Sequence, residues 1–318
     1  MPAPTTRLAP SPTGALHLGN ARTFIINWAL ARRNGWRIVL RIEDLDTPRI
    51  KPGVIELTID LLAWLGMDWD AGPLIQSHEP APHLAAMHAL AARGLIYPCD
   101  LTRAQIEAAA SAPQEGAHDT PFPASLRPAS RPSVFTDDAP SWRFAVADEP
   151  VTIEDRFLGS RTLHPAHTAG DFIVWTHRDT DKPGQPAYQL AVVVDDARQG
   201  VTHIVRGDDL LDSAARQSLL YRELGLGPAP AYYHLPLVRG ADGRRLAKRH
   251  GDTRLDRYRA RGVAPERIIG LAAYWCGVTP RREPVTIAAF RDRLDLDIIP
   301  RSDVVFGPED DAWLCQES

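Results

Sequence analysis

The spacing of apolar and polar positions divides the chain into alternating short strands and helices. Arg7 to Ala9 predicts a short strand that enters a Pro/Gly turn. From about Leu18 to Arg33 the apolar residues recur at helical spacing, with Leu18, Ala21, Ile25 and Trp28 on one face. Asn34-Gly35 stops that helix. Trp36 to Ile42 is an apolar run broken by Arg37 and Arg41; it predicts a mostly buried strand that ends in Glu43-Asp44-Leu45-Asp46. Strand, helix and strand in this order predict a parallel βαβ unit and an α/β fold.

Residues 54–65 and 80–94 carry helical patterns, and Gly66-Met67-Asp68-Trp69-Asp70 connects them. From about Ser111 to Pro140 the composition shifts to Pro, Ala, Ser and Asp with little periodicity, which predicts a surface insertion or loop-rich subdomain. Short strands are expected at Trp142–Val146, Val151–Glu154 and Asp171–Trp175. Then α/β character resumes, with a strand at Val201–Arg206, a helix at Asp212–Leu224 and a strand at Tyr232–Val238. Three helical patterns, at about 252–260, 264–276 and 286–294, close the chain.

Composition narrows the class without naming a function. Of 318 residues, 24% are charged and 44% hydrophobic, the balance of an ordinary globular protein with a full core. The formal net charge of −4 gives no global basic field, so any contact with nucleic acid must be local. Cys99, Cys276 and Cys315 are far apart with no Cys-x-x-Cys pair, which argues against a disulfide framework and fits a reducing compartment. No charged-then-apolar leader follows Met1, and no apolar run approaches the ~18 residues that span a bilayer. A cytoplasmic location with no membrane partner is expected.

Two stretches carry chemistry. In Arg7-Leu-Ala-Pro-Ser-Pro-Thr-Gly14-Ala-Leu-His17-Leu-Gly19-Asn20 a strand runs through a turn into a helix start. Unpaired backbone N–H groups and the positive dipole end at such a start suit a phosphate chain. Gly14 and Gly19 would let a ligand approach the backbone, and His17 could donate to phosphate oxygens. Alone, a His at a helix start such as His17 is more often a helix cap or a surface residue. Downstream, Arg245-Leu-Ala-Lys248-Arg249 is a basic loop just past an apolar strand. Lys248 could neutralise charge building on a transferring phosphate. Alone, that run reads rather as a solvated basic segment beside Asp242-Gly243.

Together the two stretches resemble the paired motifs of class I aminoacyl-tRNA synthetases. Further segments are similar to the glutamyl branch, in order along the chain: Arg41-Ile-Glu43-Asp44-Leu-Asp46, Trp69-Asp70 with Gln76-Ser77, Gly170-Asp171-Phe172, Tyr188-Gln-Leu-Ala-Val-Val-Val-Asp195-Asp196 and Val-Thr-His-Ile-Val-Arg206-Gly-Asp-Asp. The similarity covers about residues 5–100 and 165–265. Only residues 250–318 follow Arg249, too few for the large anticodon-binding region of glutamyl- and glutaminyl-tRNA synthetases. The catalytic half alone resembles the glutamyl-Q tRNA(Asp) synthetases, in which Leu210 replaces the Trp usual in the full-length enzymes.

The resemblance implies a Rossmann-like parallel-sheet catalytic domain with an inserted subdomain and a short helical tail. Its parts would be a first catalytic half at 1–99, an acceptor-type insertion at 100–165, a second half with the second motif loop at 166–250, and a tail at 251–318. It implies activation of L-glutamate with ATP, Mg²⁺ on the phosphates, and transfer to the queuosine base at the wobble position of tRNA(Asp). A monomer is expected. The alternatives are a truncated glutamyl-tRNA synthetase acylating tRNA(Glu), and a non-acylating paralogue. His17 and Lys248 would be catalytic, and His17, Gly19, Asn20 and Lys248 would bind ATP. Arg7, Leu8, Ala9, Pro10, Ser11, Glu43, Tyr188 and Arg206 would bind glutamate. Arg7 and Arg206 offer guanidinium forks for carboxylates, Glu43 an anion for the ammonium, and Tyr188 a hydroxyl donor. Glu43 could instead take part in strand-end salt bridging with Arg41 and Asp44.

Two departures stand out. Ala247 occupies the place where the second motif usually has Ser, while Lys248 remains. Relatives with zinc use a Cys-x-Cys pair with a later Tyr and Cys, but here Tyr97-Pro-Cys99-Asp100-Leu101 supplies a single thiol. One thiolate cannot close a tetrahedral site, so no zinc is expected and Cys99 is read as a small core residue. His164-Pro-Ala-His167 is read as loop rather than ligand.

Overall fold

The structure is a computed structural model, and it describes residues 3–12, 16–45, 50–109, 120–138, 140–177, 183–244, 246 and 252–316. The first unit consists of β1 (Thr5–Leu8), α1 (Leu18–Asn34), β2 (Arg37–Ile42), α2 (Val54–Trp64) and β3 (Ala71–Ile75). The predicted face of α1 is buried at Leu18, Ala21, Ile25 and Trp28, and Gly35 closes the helix in the left-handed conformation. β1, β2 and β3 pair in parallel. β3 falls where only a connection was expected, because Gly72-Pro73 reads as turn punctuation. It survives at a sheet edge, where a residue without N–H is tolerated, beside a register shift in β2.

Next come α3 (Ala81–Ala92), β4 (Ile96–Pro98), α4 (Arg103–Ala109), β5 (Trp142–Phe144), β6 (Val151–Asp155), β7 (Gly159–Leu163), α5 (Pro165–Thr168), β8 (Phe172–Thr176) and β9 (Gln185–Pro186). β4, β5, β8 and β9 form an antiparallel sheet beneath the Pro-rich segment, which buries Phe122 and Phe135. Asp171 closes this region. It accepts from the Tyr97 hydroxyl at 2.6 Å, from Arg127 Nε and Nη2 at 2.6 Å each, and from the Val146 N–H at 2.8 Å.

α6 (Tyr188–Arg198), β10 (His203–Gly207), α7 (Leu211–Glu223) and β11 (Ala231–Leu235) complete the second half. β10 and β11 are parallel, and β11 runs on to β6 and β7. The Thr202 N–H donates to the Thr5 carbonyl, and the Thr5 N–H to Thr202 Oγ1, both at 2.8 Å. These bonds set the three-stranded sheet β3-β2-β1 beside the four-stranded sheet β10-β11-β6-β7, an arrangement of the doubly wound kind in which the order reverses at the seam between β1 and β10. The strand expected to run to Val238 ends at Leu235, before Pro236. It resumes as β12 (Val238–Arg239), which pairs with β13 (Val304–Val305) of the tail. The tail helices are α8 (Leu255–Ala260), α9 (Pro265–Trp275), α10 (Ile287–Arg293) and α11 (Pro308–Cys315).

The sheet has two differently built faces. Leu8, Ile38, Leu40 and Ile42 join α1 and the tail helices in one apolar core. Period-two alternation sends Arg7 and Arg41 to the other face, where α6 supplies the acids that meet them. No helix among the described residues is long and apolar enough to cross a membrane.

Candidate active site

In a doubly wound sheet, ligands bind beyond the strand C-termini where the order reverses. That point is here a cleft lined by Arg7 and Ala9 of the β1 end, His17, Gly19 and Asn20 of the α1 start, Glu43 beyond β2, Tyr188 of α6, and Arg206 of β10. Eight expected site residues therefore line one cavity. Leu8 does not, because its side chain lies in the core on the other face. Pro10 is buried and its carbonyl accepts from the Glu43 N–H at 3.0 Å, while Ser11 is exposed. Gly14, Asp46, Arg245, Ala247, Lys248 and Arg249 lie outside the described residues.

The floor of the cleft is a charge network. Asp196 Oδ1 stands 2.8 Å from Arg41 Nη1 and 3.4 Å from Arg7 Nε, all three side chains being buried. Arg41 Nη2 donates to Glu43 Oε1 at 2.9 Å. The salt bridge considered for Glu43 is thus present, and the same residue lines the cleft with its second oxygen unpaired among the described residues. Asp44 takes no part, since it accepts from the N–H and hydroxyl of Ser77. Burial works against the Arg41 charge, but Asp196, Glu43 and Asp195 outweigh it and raise the pKa, so this cation is permanent. The charges acting on the Tyr188 phenol are those of Arg206, Glu43, Arg7 and Asp196. Among the described residues the hydrogen-bond partners of Arg206 are neutral: His234 Nε2 at 3.0 Å, Gln217 Oε1 at 2.9 Å and the Leu210 carbonyl at 3.2 Å.

The start of α1 corrects one expectation. Its N–H groups are not open to a ligand. Leu18 donates to the Thr253 carbonyl at 3.1 Å, Gly19 and Asn20 to His17 Nδ1 at 3.2 and 3.4 Å, and Ala21 to the His17 carbonyl. The His17 ring folds back as the helix cap, and a Cβ on Gly19 would stand 3.2 Å from it. Gly19 thus makes room for the ring as well as lining the cleft. Because Nδ1 accepts, the proton of the neutral ring sits on Nε2, directed by the cap itself.

The segments flanking the second loop are stitched to the first. Besides the Leu18–Thr253 bond, Leu255 donates to the Leu16 carbonyl at 2.9 Å, and His17 bridges Arg254. Leu246 is buried and donates to Val238. The loop that carries Lys248 therefore begins and ends beside the α1 start.

The cysteines do not fit zinc. Cys99 is half-buried, rather than in the core as expected, against Tyr97, Ile106, Phe122 and Ala145; Cys276 is buried and Cys315 exposed. Among the described residues no three His, Cys, Asp or Glu side chains group to hold a metal. His164 and His167 stack with ring centroids 5.4 Å apart, and His167 Nε2 meets Asp148 at 2.9 Å on the surface.

The profile of the family described as tRNA synthetases class I (E and Q), catalytic domain, matches residues 4–289. The chain belongs to the class I tRNA synthetases. It is 44% identical over 312 residues to a glutamyl-Q tRNA(Asp) synthetase of Rhodopirellula baltica, covering 96% of this chain and 94% of that protein. It is 46% identical over 311 residues to a glutamyl-Q tRNA(Asp) synthetase of Symbiobacterium thermophilum, covering 94% of each. Among solved structures, a glutamate tRNA ligase from Elizabethkingia meningosepticum, in complex with its amino acid, superposes with a TM-score of 0.79 at 26% identity. That match covers 98% of this chain and 68% of the ligase.

In this synthetase the residues that hold the site in place were the ones sequence reasoning passed over. From sequence Arg41 reads as a break in a strand, a member of a similar segment and a partner in a strand-end salt bridge, without a place in the site, and Asp195 and Asp196 as part of a similar segment without a role. Asp155, His234 and Gln217 were not singled out. A usable signal was present, because a full charge inside an apolar run must meet a partner when it is buried. Arg41 in Arg37–Ile42, and two acids following Leu190–Val194, had to find each other or a ligand.

Proposed function

We propose that this synthetase activates L-glutamate with ATP and passes the glutamyl group to the queuosine base at the wobble position of tRNA(Asp). The observation that carries the reading is Arg206, a buried cation with no carboxylate partner among the described residues, facing Arg7 and Glu43 across one cleft. An amino acid with a second carboxylate supplies the missing counter-charge. The α-carboxylate must stay mobile enough to react, so the fully held guanidinium of Arg206 suits the side-chain carboxylate. Glu43, already anchored by Arg41, offers its second oxygen to the ammonium. Arg7 and the Tyr188 hydroxyl complete the pocket.

In the first step a glutamate α-carboxylate oxygen bonds to the α-phosphorus of ATP as the bond to pyrophosphate breaks. His17, donating from Nε2, and Lys248 stabilise charge on the phosphates rather than move protons. Mg²⁺ would come with the triphosphate, since such an ion is commonly held by substrate phosphates. In the second step a cyclopentene hydroxyl of queuosine bonds to the activated carbonyl, and AMP and a proton leave. The choice of acceptor is supported by relatives named glutamyl-Q tRNA(Asp) synthetase that align over 94% of their own length.

The test is charging with labelled glutamate, using tRNA(Asp) with and without queuosine, and tRNA(Glu). Incorporation restricted to the modified tRNA(Asp) is expected. Charging of tRNA(Glu) would reassign the acceptor, and pyrophosphate exchange without transfer to any tRNA would favour a non-acylating role.

A further inference from the structure

Arg206 is held by a relay that crosses three neighbouring strands. It pairs in register with His234 on β11, and Asp155 on β6 lies beside that strand. All three side chains are buried. The Asp155 carboxylate is saturated: Oδ1 accepts from the Phe157 and Leu158 N–H groups at 2.8 and 2.6 Å. Oδ2 accepts from the His234 N–H at 3.1 Å and faces His234 Nδ1 at 2.6 Å. Burial pushes this carboxyl up, but the His234 and backbone hydrogen bonds prevail and lower it, so it is ionised and can only accept. His234 Nδ1 must then carry a proton.

Burial holds the His234 pKa below its ordinary value, with Arg206 adding to the effect against Asp155. The ring is therefore neutral, and Nε2 is bare. It accepts from Arg206 Nε–H at 3.0 Å. The other tautomer would set an N–H against an N–H of a cation. A second chain fixes the far end of the guanidinium. Gln217 turns its oxygen to Arg206 Nη1 because its amide nitrogen donates to Gln189 at 2.9 Å, and Gln189 donates to Ser213 at 3.0 Å. With Leu210 accepting from Nη2, three of the five N–H donors are used. Among the described residues one donor remains on each terminal nitrogen, available to a carboxylate.

We infer that Asp155 and His234 are positioning residues that set the orientation of Arg206 toward the amino acid's side-chain carboxylate. The inference rests on the reading of Arg206 given above. In the relay Asp155 faces His234 Nδ1 and His234 Nε2 faces Arg206 Nε, so each contact fixes the next. It leaves the guanidinium with a donor on each terminal nitrogen and, among the described residues, no carboxylate of its own.

The experiment is glutamate-dependent pyrophosphate exchange, with KM for glutamate and for ATP measured separately and folding followed by thermal unfolding. Absence of glutamate-dependent exchange in the wild type overturns the functional reading and is distinct from any result on the relay. His234→Asn keeps a donor for Asp155 but is too short to reach Arg206. It should raise KM for glutamate ~10- to 100-fold, the worth of one hydrogen bond to a charged group, and leave KM for ATP unchanged. His234→Gln, whose amide can supply both a donor and an acceptor, should recover most of that loss. Asp155→Asn, which lets the ring proton move to Nε2, should behave like His234→Asn. A folded His234→Asn with wild-type KM for glutamate, or with equal losses for glutamate and ATP, overturns the relay.

Discussion

The backbone N–H of Leu18 donates to the carbonyl of Thr253 at 3.1 Å, tying the first turn of α1 to the chain just after the Lys248 loop. Two segments far apart in sequence thus meet beside His17, which lines the cleft. In the function proposed above, Lys248 acts on the charge that builds at the phosphates of a nucleotide bound beside His17.

Lys248→Ala should therefore lower the rate of pyrophosphate exchange by ~100-fold or more while glutamate affinity stays near wild type. Exchange kinetics together with calorimetric titration of glutamate check this. Equal losses in rate and affinity would remove Lys248 from the charge-stabilising role.

His17 has two separable jobs, because Nδ1 caps α1 and the ring proton is left on Nε2. His17→Asn keeps a good cap but has no donor at the Nε2 position, so stability should hold while exchange falls. His17→Ala should lose activity and also ~1 kcal/mol of stability, the usual worth of a helix cap. Denaturant melts run beside exchange assays separate the two effects.

Asp195 makes the fold acid-sensitive in a defined window. Burial pushes its carboxyl up, but His83 at 3.2 Å, the Arg41 charge and the Gln76 amide at 2.7 Å outweigh that and hold it at about 2. A depressed carboxyl stabilises the fold fully above its unfolded value of 3.8, and the stabilisation is lost as pH falls through about 2. About 2 kcal/mol should disappear across that interval, and Asp195→Asn should flatten this part of the curve. Unfolding free energies measured from pH 5 downward, an interval about one unit above the onset, test the assignment.

The inserted region is closed by Asp171 gathering Arg127, Tyr97 and the Val146 N–H. Arg127→Met leaves a buried carboxylate without its cation and should cost about 3 kcal/mol. Treatment with a strong zinc chelator should leave the melting temperature unchanged. A chelator-induced drop would mean that a metal holds the region after all.

The division between sequence and structure shows at particular residues. The buried stripe of α1, the stop at Gly35 and the strands flanking α7 were legible because periodicity and turn chemistry are local, although β11 stops at Leu235, short of the expected Val238. β3 was hidden, because Gly72-Pro73 is a break by local rules and is accommodated only at a sheet edge. The β12–β13 pairing was hidden for a similar reason, since two-residue strands carry no period.

For the site, the order of similar segments in the chain named the residue types and the family. It did not say what those residues would be joined to. Only the folded sheet placed Arg7 and Arg41 on one acid, turned His17 into the cap that occupies the first N–H groups of α1, and set Asp155, His234 and Arg206 across three strands. Backbone preference and hydrophobic period act over a few residues, whereas the partner of a buried charge is chosen by whichever strand or helix the topology brings within hydrogen-bonding distance.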